Sequence, residues 1–111
     1  RPEVRRLIDK FTVVQLDLAG SRALVAPDGS PTNERAWAAE MRITYAPSLV
    51  FFDTGGKEVF RSEGYLRPFH LASALEYVAA GEYRREPSFQ RYVQKRADAM
   101  RAAGKSVDLW K

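Results

Sequence analysis

Two short apolar runs constrain this chain most. Phe11-Thr12-Val13-Val14-Gln15-Leu16-Asp17 is β-branched and largely apolar, and Ser48-Leu49-Val50-Phe51-Phe52 is apolar almost throughout. Neither run alternates polar with apolar residues, so each predicts a strand buried on both faces. Such strands need helices on both sides of their sheet. One core is therefore expected from Val13, Val14, Leu16, Leu49, Val50 and Phe51 of the strands and Trp37, Met41, Leu75 and Val78 of the helices.

The intervening residues supply those helices. Pro2 suits a first helical position, and Val4, Leu7 and Ile8 fall at helical spacing, so residues 2–10 read as the end of a helix. Residues 19–32 hold Gly20-Ser21 and Pro27-Asp28-Gly29-Ser30-Pro31, which predicts a long loop with room for a small hairpin. Thr32 or Asn33 can cap a helix running to about Arg42, with Trp37 and Met41 on its buried face. After the second apolar run, Asp53-Thr54-Gly55-Gly56 is a turn into an antiparallel return strand over residues 58–63, ended by Gly64. Pro68 opens a helix with Leu71, Ala74, Leu75 and Val78 on one stripe, stopped by Gly81. Pro87 opens a last helix with Phe89, Tyr92, Val93 and Met100 on one stripe, stopped by Gly104. The predicted order is α-β-α-β-β-α-α.

Composition removes several function classes. Hydrophobic residues make up 45% of the chain and charged residues 29%, enough for a buried core. No apolar run approaches the roughly 20 residues of a membrane span. The net charge of +4 is carried by basic residues mixed with acids, which points to a solvated surface and away from nucleic acid. There is no cysteine, so these residues form no disulfide, no thiolate metal site and no cysteine nucleophile. One histidine, His70, gives no ordinary His-based zinc site. No cofactor is expected. The first residue is Arg1 and not Met, so removal of a preceding segment is expected.

The piece β-α-β-β-α, with Tyr45-Ala46-Pro47-Ser48 just before its second strand, resembles the C-terminal part of the thioredoxin fold. The resemblance covers roughly residues 2–80. It rests on the strand ending in Asp17, on Tyr45-Ala46-Pro47-Ser48-Leu49-Val50-Phe51-Phe52, on Asp53-Thr54-Gly55-Gly56-Lys57-Glu58-Val59 and on Gly64-Tyr65-Leu66. It implies an α/β chain with a thioredoxin-like three-layer α/β/α arrangement, incomplete at the N-terminus, in residues 1–81. Residues 82–111 are then a C-terminal helical extension. The long loop and the tail Phe89-Gln90-Arg91-Tyr92 … Val107-Asp108-Leu109-Trp110 look similar to periplasmic thioredoxin-like proteins linked to bacterial sulfur oxidation, which implies a periplasmic location.

Thioredoxins carry Cys-x-x-Cys at the start of the helix whose tail would be residues 2–10, and the chain has no such motif. A helix N-terminus lowers the first thiol's pKa, and the second cysteine resolves the mixed disulfide. Without a thiolate the chain cannot exchange disulfides. In thioredoxins a central strand also lies between the two runs read here at 11–17 and 48–52. Without it their edges are unpaired, which leaves three outcomes. Preceding residues supply the strand, the two runs pair directly, or a second copy fills the gap as a strand-exchanged homodimer.

The resemblance places a substrate groove at Tyr45, Ala46 and Pro47. It implies a cis Ala46–Pro47 bond and a backbone at Ala46 that pairs with an extended peptide. The alternative is an ordinary trans proline before a strand. Tyr45 lines the groove or packs in the core. Asp17 either tunes a thiol or caps loop amides, the usual role of an Asp ending a strand. His70 has no evident nucleophile partner. Arg84, Arg85, Arg91, Lys95, Arg96, Arg101 and Lys105 give the last helix a basic face. That face is the outer side of a packed amphipathic helix, or a docking face for an acidic protein or an anionic membrane surface, the membrane being the less expected. Trp110 is a candidate anchor for the tail.

Two functions are consistent with these features. One is a thiol:disulfide oxidoreductase whose cysteines lie upstream and whose substrates are proteins with disulfides. The other is a redox-inactive thioredoxin-like module that binds extended peptide segments.

Overall fold

The protein is described by a computed structural model covering residues 2–44 and 47–110. Its elements run α1 (Pro2–Ile8), β1 (Ala23–Val25), β2 (Pro31–Asn33), α2 (Glu34–Glu40), β3 (Ser48–Phe52), β4 (Glu58–Glu63), α3 (Pro68–Ala79), a 3-10 turn (Glu82–Arg84) and α4 (Phe89–Ala102). The chain is α/β, and its contacts divide it into two compact units. One comprises residues 1–13 and 66–111, the other residues 14–65.

The second unit is built from two hairpins and a helix. β1 and β2 pair antiparallel, Leu24 opposite Thr32. This is the small hairpin that the Gly and Pro signals of residues 19–32 allow. Its loop closes through Gly29, which has positive φ, and through Asp28, whose Oδ1 accepts from the Ser30 amide. Asn33 then caps α2, its side chain accepting from the Ala36 amide at 2.9 Å. α2 ends in a Schellman arrangement: Ile43 N donates to Ala38 O and Arg42 N to Ala39 O. The position that usually holds Gly is occupied by Arg42, at φ 59°.

β3 and β4 form the other hairpin, Val50 opposite Arg61 and Phe51 opposite Phe60, with an irregularity between Phe51 and Phe52. Asp53 Oδ1 accepts from both Gly55 N and Lys57 N at 2.9 Å, which fixes the turn. Gly56, at φ 86°, is required there twice over. Its backbone is left-handed, and a Cβ would lie 2.8 Å from the Pro27 carbonyl oxygen. Trp37 of α2 stacks on Phe52 of β3 with ring centroids 5.9 Å apart.

The first unit is helical. α3 starts at Pro68 and buries Ala72, Ser73, Ala74, Leu75 and Tyr77. Gly81 at φ 68° turns the chain into the 3-10 segment. Tyr77 is the hub of this unit. Its ring meets Tyr83, Phe89 and Tyr92, and its hydroxyl donates to the Glu86 carbonyl. Ser88 caps α4, which buries Val93 and Ala97. Gly104 and Lys105 close α4 with the same bond pattern that ends α2.

Three expectations are corrected. Residues 12–17 form no strand, and Val13 and Val14 are 69% and 61% exposed, outside any core. A strand is stable only with a neighbouring ladder, and no described strand pairs with this run. Its backbone uses side chains instead: Arg22 Nη2 donates to Gln15 O and Asp17 N donates to Glu34 Oε2. Leu49 is 37% exposed and so belongs only partly to the core. Arg96, assigned from sequence to the basic outer face of α4, is turned inward. Its side chain is 12% exposed and paired with Glu76 and Glu3.

Candidate functional site

The site expected at Tyr45, Ala46 and Pro47 falls at the entry to β3. Tyr45, Ala46 and with them the Ala46–Pro47 bond lie outside the described residues. Pro47 is half-buried, and its carbonyl accepts from Gly64 N at 2.7 Å. That bond continues the β3–β4 pairing by one residue beyond Ser48 opposite Glu63. A proline suits this place because the first residue of a strand can do without an N–H. Gly64 suits it because the left-handed φ of 86° ends β4 cheaply. Both sides of the strand entry are thus tied down by backbone bonding, which fixes the start of the β3 edge.

A second built feature was not legible in the sequence. Glu34, the first residue of α2, is buried. Its carboxylate accepts from Asp17 N at 2.8 Å and Arg22 N at 3.1 Å and pairs with the Arg22 guanidinium at 3.7 Å. Gly20 lies against it: a Cβ there would collide with Glu34 Oε1 and sit 2.8 Å from Cδ. Glu34 therefore staples the loop 17–22 onto α2. The only sequence signals were an acid in a helical first turn, which usually serves the helix dipole, and Gly20, which reads as a turn. Asp17 itself takes the ordinary loop role, its Oδ1 accepting from Ala19 N at 3.0 Å.

The same unit holds an open cavity of about 400 Å³. Trp37, Phe52 and Met41 line its apolar side, and Arg42, Glu40 and Asp28 also line it. Arg61 and Glu58 are present too, but they are engaged with each other through two bonds of 2.8 and 2.6 Å. That pairing holds the Glu58 carboxyl below the usual carboxylate range.

In the helical unit, His70 Nδ1 is buried without a hydrogen-bond partner among the described residues. Burial, and then the nearby Arg67, lower its pKa below 6.5, so the ring is neutral at pH 7. Tyr92 is pushed up to about 12, first by burial and then by Glu76. Among the described residues no group of three or more His, Cys, Asp or Glu is arranged to hold a metal ion. No described helix is long and apolar enough to cross a membrane.

A family model described as a thioredoxin-like domain matches residues 1–79. The chain belongs to this thioredoxin-like family. The match spans the α/β body from α1 to the end of α3 and leaves the 3-10 turn and α4 outside it. Among curated proteins and among solved structures, nothing matches the chain. Within a thioredoxin-like protein, the Pro47 strand entry is the one described feature that coincides with a position the family resemblance implies for substrate contact.

Proposed function

We propose that this chain is the partner-holding body of a thioredoxin-like thiol:disulfide oxidoreductase. Tyr45, Ala46 and Pro47 lie along an extended segment of a disulfide-bearing protein, and the reacting thiols come from a Cys-x-x-Cys pair outside residues 1–111. The observation that carries this reading is the anchored strand entry, where Pro47 is held by Gly64 N at 2.7 Å at the head of β3 in a family-matched region. An edge fixed by backbone bonding can present peptide groups to an extended chain without reorganising. The chemistry balances through the cysteines alone. A thiolate attacks one substrate sulfur, the other sulfur leaves as a thiolate, and the second cysteine displaces the substrate from the mixed disulfide. By resemblance the setting is the periplasm, with a role beside sulfur-oxidation enzymes.

A second reading has one observation in its favour: residues 1–111 contain no cysteine. On that reading the thioredoxin-like body binds protein segments and performs no exchange. Insulin reduction in the presence of dithiothreitol separates the two. The 111-residue chain gives only the dithiothreitol background. A form of the protein carrying Cys-x-x-Cys before α1 exceeds that background, and Pro47→Ala in that form slows it by about tenfold or more, since small misplacements of reacting atoms cost that much. Absence of any natural form with such cysteines, or a Cys-x-x-Cys form that stays at background, rejects the oxidoreductase reading in favour of the binding module.

A further inference from the structure

The net charge of the chain is not shared between its parts. Residues 1–81 contain ten Lys or Arg and ten Asp or Glu, and residues 82–111 contain eight against four. The whole excess of +4 therefore lies in the segment that the thioredoxin-like match, ending at residue 79, leaves out.

The structure shows how that charge is displayed. Val93 and Ala97 of α4 are buried, and Arg96 on their side is turned inward against Glu76 and Glu3. Arg91, Lys95 and Arg101 are exposed. At 100° per residue these three fall within an arc of about 120°, with Arg91 and Lys95 directed away from Val93 and Ala97 and Arg101 at the edge of the arc nearer Ala97. Lys105 follows at the helix end, also exposed. From Arg91 to Arg101 the row runs about 15 Å at 1.5 Å per residue, with Lys105 just past the helix end. Little of it is neutralised. Arg91 and Lys105 have no side-chain partner among the described residues, Arg101 donates to the Val107 carbonyl, and Lys95 meets Glu86 only at 3.5 Å. Arg96 braces the helix from behind, so the row is carried on a fixed element.

We infer that the outer face of α4, from Arg91 to Lys105, docks an acidic segment of a protein partner. Charge complementarity selects the sign. Two further observations select a protein over other polyanions. The large apolar side chains of α4 face inward or are half-buried, leaving no apolar stripe on the basic face to enter a bilayer. Asp98 stands within the basic row, on the same face as Arg91 and Lys95. It would oppose a continuous phosphate backbone, whereas a peptide can place its carboxylates to avoid it. A helical row of about 15 Å accommodates roughly ten residues of helix or four to five of extended chain, and Lys105 extends it at one end. This inference stands apart from the reading of the Pro47 region and requires no cysteine.

The test is fluorescence anisotropy with a labelled glutamate-rich peptide of about 14 residues as the probe, at low salt and at about 0.15 M salt, where exposed charges are screened beyond roughly 8 Å. The triple variant Arg91→Gln/Lys95→Gln/Lys105→Gln is compared with Arg5→Gln/Arg6→Gln/Lys10→Gln, which removes the same charge from exposed positions elsewhere. Circular dichroism establishes that both are folded. The expected result is about a tenfold or greater loss of affinity for the α4 triple and less than about threefold for the control, each charge contact contributing a few-fold. Equal losses in the two triples would show that net charge alone binds the peptide, and would overturn the inference. So would an unaffected α4 triple, or tighter binding of the native chain to an oligothymidylate of equal charge or to phosphatidylglycerol vesicles.

Discussion

Arg96→Met removes the charge that ties three helices together while keeping an unbranched side chain of similar reach. In the native chain Arg96 Nε donates to Glu76 Oε2 and Nη2 to Glu3 Oε1, each at 2.5 Å, and Nη1 to Ser73 Oγ at 3.2 Å. The guanidinium also lies 4.8 Å from the centre of the Phe69 ring. Burial alone would lower the Arg96 pKa, but the bonds to Glu76 and Glu3 outweigh it and raise it above the ordinary arginine value, so the guanidinium stays charged. Truncating one member of a fully buried pair costs about 3–5 kcal/mol, because the stranded charge stays dry. Here the stranded groups are Glu76 and Glu3, 42% and 47% exposed, and both can rehydrate. Ser73 is not stranded either, because its hydroxyl still donates to Phe69 O at 2.7 Å. What is lost is part of two charge-assisted bonds and a cation–π contact of about 0.5–1 kcal/mol. The expected loss is about 2 kcal/mol, or roughly 8–10 °C in Tm for a chain of this size. Urea denaturation of Arg96→Met, Glu76→Gln and the double variant measures it, and the double should cost clearly less than the sum of the singles. A loss under about 0.5 kcal/mol in Arg96→Met, or full additivity, would show that the three-way pairing does not hold α1 and α4 to α3.

Gly20→Ala drives a Cβ into the Glu34 carboxylate and should cost about 2 kcal/mol in urea denaturation, a typical overpacking loss; a neutral outcome would mean that Glu34 does not staple the loop. Arg42→Gly relieves a left-handed residue at the end of α2 and should raise stability by about 0.5–1 kcal/mol, the steric gain being partly offset by the entropy of glycine; a loss would show that the Arg42 side chain makes contacts that outweigh the strain. His70 has its pKa lowered in the folded state, so its contribution to stability is fully present above about pH 6.5 and is lost as the pH falls through the folded value. Tm should accordingly drop as the pH falls below about 6.5, and His70→Gln should flatten that drop; an unchanged slope in the variant would assign it to other groups. Leu49→Ala should cost about 1–2 kcal/mol and not the 2–5 of a fully buried leucine, because Leu49 is already 37% exposed.

Elements whose stability is local were legible in the sequence. The α2 cap at Asn33, the turn at Asp53–Gly56, the start of α3 at Pro68 and the stops at Gly81 and Gly104 each depend on a residue within a few positions of the feature it controls. The run 11–17 was misread for the opposite reason. Its composition favours a strand, but a strand is a statement about a neighbour, and the neighbour is not specified by the run itself. Val13 and Val14 thus carry strand propensity and high exposure together. Pairings between distant side chains were equally hidden. The helical pattern of α4 does set Arg96 apart from Arg91, since Arg96 falls four residues after Tyr92 and three after Val93 on the apolar stripe, but it does not name the partner, Glu3, bonded across 93 residues. Tyr77 was likewise not separable from other helical aromatics until the 3-10 turn brought Tyr83 and Phe89 to its ring.

The placement of Arg96 also bears on where the thioredoxin-like body ends. The family match stops at residue 79, but the buried side of α3 does not stop there: Tyr77 packs on Phe89 and Tyr92, and Glu76 and Ser73 bond Arg96. Residues of the matched region are therefore completed by residues outside it. Removing α4 would uncover Tyr77, one of the most buried side chains among the described residues, together with Ser73. Burying a side chain of that size contributes about 2 kcal/mol, and its hydroxyl would lose the Glu86 carbonyl as well. A chain cut after residue 81 should consequently be less stable than the full chain by several kcal/mol, which is a large share of the total for a domain of this length. The helical unit thus takes in residues 82–111 as part of its packing, and the basic outer face of α4 is carried on a helix that the packing of α3 already requires.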